Sequence, residues 1–149
     1  MLKTDILDIL SIEEESNPVP WTKQNFMDCI EKEYYCLVQE FNGVMSGFSI
    51  TSFSIDEAHL LNIGITPQFR RKGLGSNLLE KTELAAKAVG CKDVFLEVRK
   101  SNIKGIKLYK KNKYKQVGLR KNYYRPSLDY PREDALLFSK KVRKIWMLT

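Results

Sequence analysis

Gln68-Phe69-Arg70-Arg71-Lys72-Gly73-Leu74-Gly75-Ser76 stands between a strand pattern and the clearest helix pattern of this 149-residue chain. Upstream, Ala58 to Ile65 reads as a strand; downstream, Leu74, Leu78, Leu79, Ala85, Ala86 and Val89 keep helical spacing as far as Gly90. A strand that feeds a basic, glycine-containing turn opening a long helix is a polyphosphate site on physical grounds. The first N–H groups of the helix lack intrahelical acceptors, and the positive end of its dipole points at the anion. Gly73 and Gly75 let the main chain come close, and Arg70, Arg71 and Lys72 add charge. The same stretch also fits an ordinary glycine-rich helix start flanked by solvated arginines. No Gly-x-Gly-x-x-Gly fingerprint and no Gly-Lys-Ser/Thr ending occurs, which disfavours NAD and nucleoside triphosphate sites.

Working outward, strand and helix patterns alternate, which predicts a mixed α/β domain. Thr4 to Glu15 and Thr22 to Lys32 read as short helices on either side of Asn17-Pro18-Val19-Pro20, with Thr22 as an N-cap. Tyr35 to Glu40 and Gly43 to Thr51 form a hairpin pattern around Asn42-Gly43, and Ala58 to Ile65 completes a meander. After the long helix, Asp93 to Val98 alternates as a strand that places Glu97 opposite Val94, Leu96 and Val98. Ser101 is expected to cap a helix from Asn102 to about Lys111, followed by strands over Tyr114 to Arg120 and Ala135 to Lys140. Residues 143–149 read as a loosely held tail of what is otherwise one domain.

The net charge of +7 is unevenly spread. Residues 1–98 hold 9 Lys+Arg against 15 Asp+Glu, whereas residues 99–149 hold 16 against 3. The basic third suits polyphosphate, and direct RNA binding through Lys104, Lys107, Lys110, Lys111 and Lys113 is a rival reading; the acidic remainder suits a cationic substrate. Cys29, Cys36 and Cys91 are odd in number and unpaired in pattern, which suggests neither a disulfide framework nor a metal site and fits a reducing, cytoplasmic setting. No stretch approaches the length of a membrane span, and the acidic start does not read as a signal peptide. His59 has no evident partner and Cys91 follows a helix-ending glycine, so both read as structural.

Arg70-x-x-Gly73-x-Gly75 after a strand resembles the pyrophosphate signature of the GNAT acyltransferase superfamily. Pro20-Trp21, Leu61 to Ile65, Phe95 to Arg99, Ser101-Asn102, Leu108-Tyr109, Asn122-Tyr123-Tyr124 and Glu133-Asp134-Ala135 resemble, more narrowly, the RimI-type ribosomal-protein alanine N-acetyltransferases. The resemblance runs from Ile12 to Lys140. It implies the GNAT fold, a central mixed, mostly antiparallel sheet flanked by helices, whose fourth and fifth strands splay to admit the pantetheine arm of acetyl-CoA. It implies no metal.

Carried onto this chain, Ile63, Gly64 and Ile65 would line that arm, and an N–H near Ile65 would polarise the thioester carbonyl. Arg70, Arg71, Lys72, Gly73, Leu74, Gly75 and Ser76 would hold the pyrophosphate, with Asn102 further along. Glu97 would be the general base, helped by a proton affinity raised by burial, and Tyr109 the general acid. Asn102, Ile106 and Tyr109 share one helical face by spacing alone. The implied substrate is the N-terminal alanine of a small-subunit ribosomal protein, with a lysine side chain, polyamine or other small amine as the alternative. Glu13, Glu14 and Glu15 would draw in its basic tail between Trp21, Tyr123 and Tyr124. Where the family ends its last helix in Gly-Phe, this chain has Lys113-Tyr114, so Asn112 is expected to take the left-handed cap.

Overall fold

The computed structural model describes residues 1–142, so the tail expected over 143–149 lies outside them. Two helices come first, α1 (Ile6–Ser16) and α2 (Lys23–Glu31), then three strands, β1 (Tyr35–Phe41), β2 (Val44–Phe53) and β3 (Glu57–Ile65). Helix α3 (Leu74–Ala88), strand β4 (Asp93–Arg99), helix α4 (Ile103–Lys111) and strands β5 (Lys115–Tyr124) and β6 (Glu133–Lys141) follow. Local chemistry fixes several boundaries as expected. Thr22 Oγ1 accepts from Asn25 N–H while Asn25 Oδ1 accepts from Thr22 N–H, a reciprocal cap at the start of α2. Asn42 and Gly43 both take left-handed φ, 52° and 79°, the conformation that matches the twist of a tight hairpin between β1 and β2.

The strands form one sheet in the order β1-β2-β3-β4-β6-β5, antiparallel except for β3 beside β4. The strand that the resemblance counts as fourth is therefore β3 of this chain. One hydrophobic cluster packs Ile6, Ile9 and Ile12 of α1 and Phe26 and Cys29 of α2 on Phe48 and Ile50 of β2. A second joins Leu79 and Ala86 of α3 and Tyr109 of α4 to Ala58, Val94, Leu96 and Phe138 of the sheet. Strand alternation sends these two sets to opposite faces, giving a helix-sheet-helix sandwich.

Four local expectations are corrected. Val89 is 58% exposed, because α3 ends at Ala88 and the chain turns through Gly90 at φ 91°; Thr82 and Glu83 are buried instead. Glu83 is tolerated there because Lys140 Nζ of β6 lies 2.5 Å from its Oε1. Asn102, not Ser101, caps α4, accepting from Gly105 N–H at 2.9 Å, since Ser101 Oγ is spent on Glu133. The left-handed residue after α4 is Lys113 (φ 69°), not Asn112, whose Nδ2 donates to Ser76 Oγ and Leu108 O and ties α4 to the first turn of α3. Strand β5 runs on to Tyr124 through an irregularity at Asn122 (φ 52°), whose N–H bonds Asp134 Oδ1.

Gly64 is demanded by packing. A Cβ there would stand 2.7 Å from Phe48 Cε1 and 3.2 Å from Ile12 Cγ2. Gly64→Val is expected to cost about 1–3 kcal/mol by overpacking, lowering the thermal midpoint by roughly 2–12 °C. A shift under about 1 °C in a calorimetric scan would show that the Phe48 ring simply yields.

Candidate active site

The parallel pair β3/β4 holds register only from Glu57/Asp93 to Leu60/Leu96. At that point the β2/β3 ladder slips: Ile50 faces Asn62 and Thr51 faces Leu60, leaving Leu61 as an extra residue. A bulge bends and twists the strand that carries it, which accounts for β3 leaving β4 where it does. A cleft of about 450 Å³ opens there, with Leu61, Asn62 and Ile63 on one wall and Glu97, Val98 and Arg99 on the other. Thr66 N–H donates to Ser46 O at 2.8 Å, which makes Gly47/Ile65 and Ser49/Ile63 the pairs without mutual hydrogen bonds. The main-chain N–H groups of Ile63 and Ile65 consequently face the parted side, whereas Gly64 turns its main chain to Phe48 of β2. Of the three residues expected to line an extended arm, Ile63 borders the cleft and Gly64 and Ile65 do not.

Where β3 ends, a single helical turn over Pro67–Phe69 leads to Arg70, to Arg71 in a left-handed conformation (φ 63°), and to Gly73 at φ 75° as N-cap of α3. Among the described residues no side chain caps this helix, which leaves the N–H groups of Leu74, Gly75 and Ser76 available to an anion. At Gly75 the main chain passes close to α4: a Cβ would lie 3.1 Å from Leu108 Cδ2, which would have to give way. Arg70 Nη2 reaches back to Ser16 Oγ (3.3 Å), and Lys72 lies 5.7 Å over the Phe41 ring, so two of the three basic side chains are held by their surroundings. Gly73, Ser76 and Asn112 border a second hollow of about 510 Å³ along α3.

Asn102 and Tyr109 both border the cleft from α4, as their spacing predicts. Burial, with the Tyr124 phenol as a lesser cause, pushes the Tyr109 hydroxyl well above the usual phenol range. Tyr124 itself is pushed up to about 12, mainly by burial and then by the Glu97 charge. Glu97 stands on the opposite face of β4, its side chain 27% exposed, with Arg120 Nε 3.3 Å from Oε1. The Glu97 carboxylate is also the main cause that raises the pKa of the Tyr123 phenol. Arg99 is paired with Glu133 at 3.5 Å and stacks on Tyr124 at 4.2 Å. The cleft thus offers a carboxylate acceptor, a phenol donor and outward-facing main-chain N–H groups, the parts required for acyl transfer to an amine.

Sequence reasoning missed the partners Arg120, Asn62 and Asn17. Of the three consecutive glutamates, Glu14 and Glu15 are exposed and Glu13 is 1% exposed. Burial raises its proton affinity, against hydrogen bonds from Asn62, Asn17 and Trp21 N–H that lower it. The signal was available, since Glu13 follows Ile9 by four residues and Ile6 by seven on the buried face of α1. His59 does have partners, Glu57 Oε2 at 3.1 Å and the stacked Phe95 ring, and borders neither hollow. Cys91 is buried against Ser54 O. Among the described residues no cluster of three or more His, Cys, Asp or Glu could hold a metal ion, and no helix is long and apolar enough to cross a membrane.

Known proteins resemble this chain in sequence and in fold. Residues 5–114 match the model described as the acetyltransferase (GNAT) family. The chain is 35% identical over 136 residues to the ribosomal protein bS18-alanine N-acetyltransferase of Escherichia coli (strain K12), spanning 91% of this chain and 90% of that one. The crystal structure of the ribosomal-protein-S18-alanine N-acetyltransferase from Escherichia coli superposes with a TM-score of 0.86 at 32% identity, covering 100% of this chain and 95% of that one. Ard1 from Thermoplasma volcanium also superposes with a TM-score of 0.86, at 26% identity over 97% of this chain and 95% of that one. Parted parallel strands beside an uncapped helix start, matched along most of the chain by acetyltransferases of the same topology, place this protein in the acetyltransferase (GNAT) family.

Proposed function

We propose that the protein transfers the acetyl group of acetyl-CoA to the N-terminal alanine of a small-subunit ribosomal protein in the cytoplasm, the substrate class for which its relatives are named. The observation that carries this reading is the cleft where β3 leaves β4, with Glu97 on one side and Tyr109 on the other. Bound acetyl-CoA supplies a thioester, which is activated toward an amine. The free N–H groups at Gly73–Ser76 and the charges of Arg71 and Lys72 suit its diphosphate, and the parted edge of β3 suits its extended arm. Ile65 N–H, facing that edge, is placed to donate to the carbonyl oxygen as charge develops on it.

The acceptor must attack as a neutral amine. An α-amino group, with a pKa of about 8, sheds its proton far more readily than a lysine at about 10.4. Glu97 takes the ammonium proton, directly or through one water; as the new C–N bond forms and the C–S bond breaks, the nitrogen's second proton goes to the departing sulfur or to solvent, and Tyr109 donates a hydrogen bond to that sulfur. The acidic first part of the chain draws in a basic N-terminal segment.

The test is mass spectrometry of three acceptors incubated with purified protein and acetyl-CoA: an alanine-ended ribosomal peptide, the same peptide with a blocked N-terminus, and a polyamine. One acetyl group on the first alone is expected. Faster transfer to the polyamine, or to the blocked peptide through its lysines, would overturn the N-terminal assignment and favour the small-amine or side-chain reading.

A further inference from the structure

The connection from α1 to α2, residues 17–22, carries Pro18 and Pro20, contributes no strand to the sheet, and yet walls the cleft through Asn17, Pro18 and Trp21. What fastens it is one carboxylate. Glu13 Oε1 accepts from Asn17 Nδ2 at 2.8 Å and Oε2 accepts from Asn62 Nδ2 at 2.5 Å. The direction of the Asn17 amide is fixed independently, because its Oδ1 accepts from Val19 N–H at 3.1 Å. As oriented, both partners are donors, and an ionised carboxylate, which only accepts, satisfies the two together. Asn62 sits on β3 immediately before Ile63, at the point where that strand has just left β4. One side chain therefore joins the acceptor wall to the strand edge that frames the cleft.

We infer that Glu13 is a positioning residue for the acceptor: by clamping the 17–22 connection to Asn62 it holds Pro18 and Trp21 as a fixed wall against which the incoming N-terminus is oriented. The inference rests on the reading above that the cleft takes a peptide N-terminus, and it assigns Glu13 no contact with the reacting atoms. Removing the negative oxygen without changing shape is the sharpest perturbation, because a glutamine that keeps its oxygen on the fixed Asn17 amide turns its own NH2 toward the Asn62 NH2, a conflict relieved only if Asn62 turns over and the charge-assisted bond is lost. The clamp can also be rebuilt with its polarity exchanged, since Glu13→Gln with Asn62→Asp restores one donor and one acceptor in nearly the same volume.

Three readouts test it: steady-state acetylation of the alanine-ended peptide, calorimetric titration with acetyl-CoA, and amide hydrogen exchange over residues 17–22. Glu13→Gln is expected to raise KM for the peptide about tenfold, the scale of one lost hydrogen bond in a buried network. Acetyl-CoA affinity and kcat should stay within about twofold, and exchange over 17–22 should quicken. The exchanged pair should recover most of the peptide KM. A peptide KM changed less than twofold would overturn the inference, as would acetyl-CoA affinity falling in proportion to it, or an exchanged pair with wild-type thermal midpoint and no recovery. If the unaltered protein acetylates no peptide N-terminus, the functional reading fails on its own, while hydrogen exchange still decides whether Glu13 holds the connection.

Discussion

Glu97→Gln is expected to lower kcat/KM for the alanine-ended peptide by about 10²-fold or more, the lower end of what a positioned general base contributes. The substitution keeps the shape of the side chain and removes only its ability to take a proton. Its neighbours make this a clean change. Arg120 is 56% exposed and can turn to water, so the lost ion pair costs little stability. Acetyl-CoA affinity should be unaltered, because the turn at Gly73 and the edge of β3 lie on other elements. The pairing with Arg120 also suggests the order of events: an incoming ammonium can replace the guanidinium at Oε1 before giving up its proton. A variant whose rate matched the original across the pH range, measured by initial-rate kinetics, would remove Glu97 from the mechanism.

The frame of the site was legible because it is set by short-range chemistry. Asn42-Gly43 can satisfy two left-handed positions, Thr22 with Asn25 closes a cap, and the apolar spacing of Leu74, Leu78 and Leu79 belongs to one helical face. The parting of β3 from β4 was readable only through resemblance, since its cause is a ladder slip at Leu61 that appears only when β2 is laid beside β3. Long-range pairs hid in the same way. Ser101 looked like a cap until Glu133, 32 residues away, claimed its hydroxyl. Asn112 looked like the left-handed residue until Ser76 claimed its amide, which left Lys113 to bear a strain of about 1–2 kcal/mol. Glu13 was masked by its neighbours, because three glutamates in a row read as solvent-facing charge unless the heptad offsets from Ile6 and Ile9 are counted.

Tyr109→Phe should lower kcat about 10- to 10²-fold with acetyl-CoA affinity nearly unchanged, and the size follows from how the phenol can act. A hydroxyl pushed well above the ordinary phenol range by burial keeps its proton at every physiological pH. Thiols are stronger acids than this phenol, a cysteine side chain titrating at about 8.5, so a leaving thiolate is the weaker base and complete transfer from the phenol would run uphill. The favourable act is a hydrogen bond to the sulfur as its charge grows, and such bonds to charged groups contribute about 1.5–3 kcal/mol, or one to two decades in rate. Phenylalanine keeps the ring against Tyr114 and Phe138, so the fold should survive. The same raised pKa has a stability consequence of definite sign. Above about pH 10 the unfolded chain releases this proton while the folded one retains it, so the contribution is intact below that pH and fades as pH rises further. Urea midpoints at pH 8 and pH 11 should therefore fall less between the two for Tyr109→Phe than for the unaltered protein, although Tyr114 and Tyr124, raised by burial in the same way, keep some fall in both. An unchanged kcat together with a reduced alkaline fall would mean that the hydroxyl is buried for packing alone, and the leaving sulfur would then need another donor.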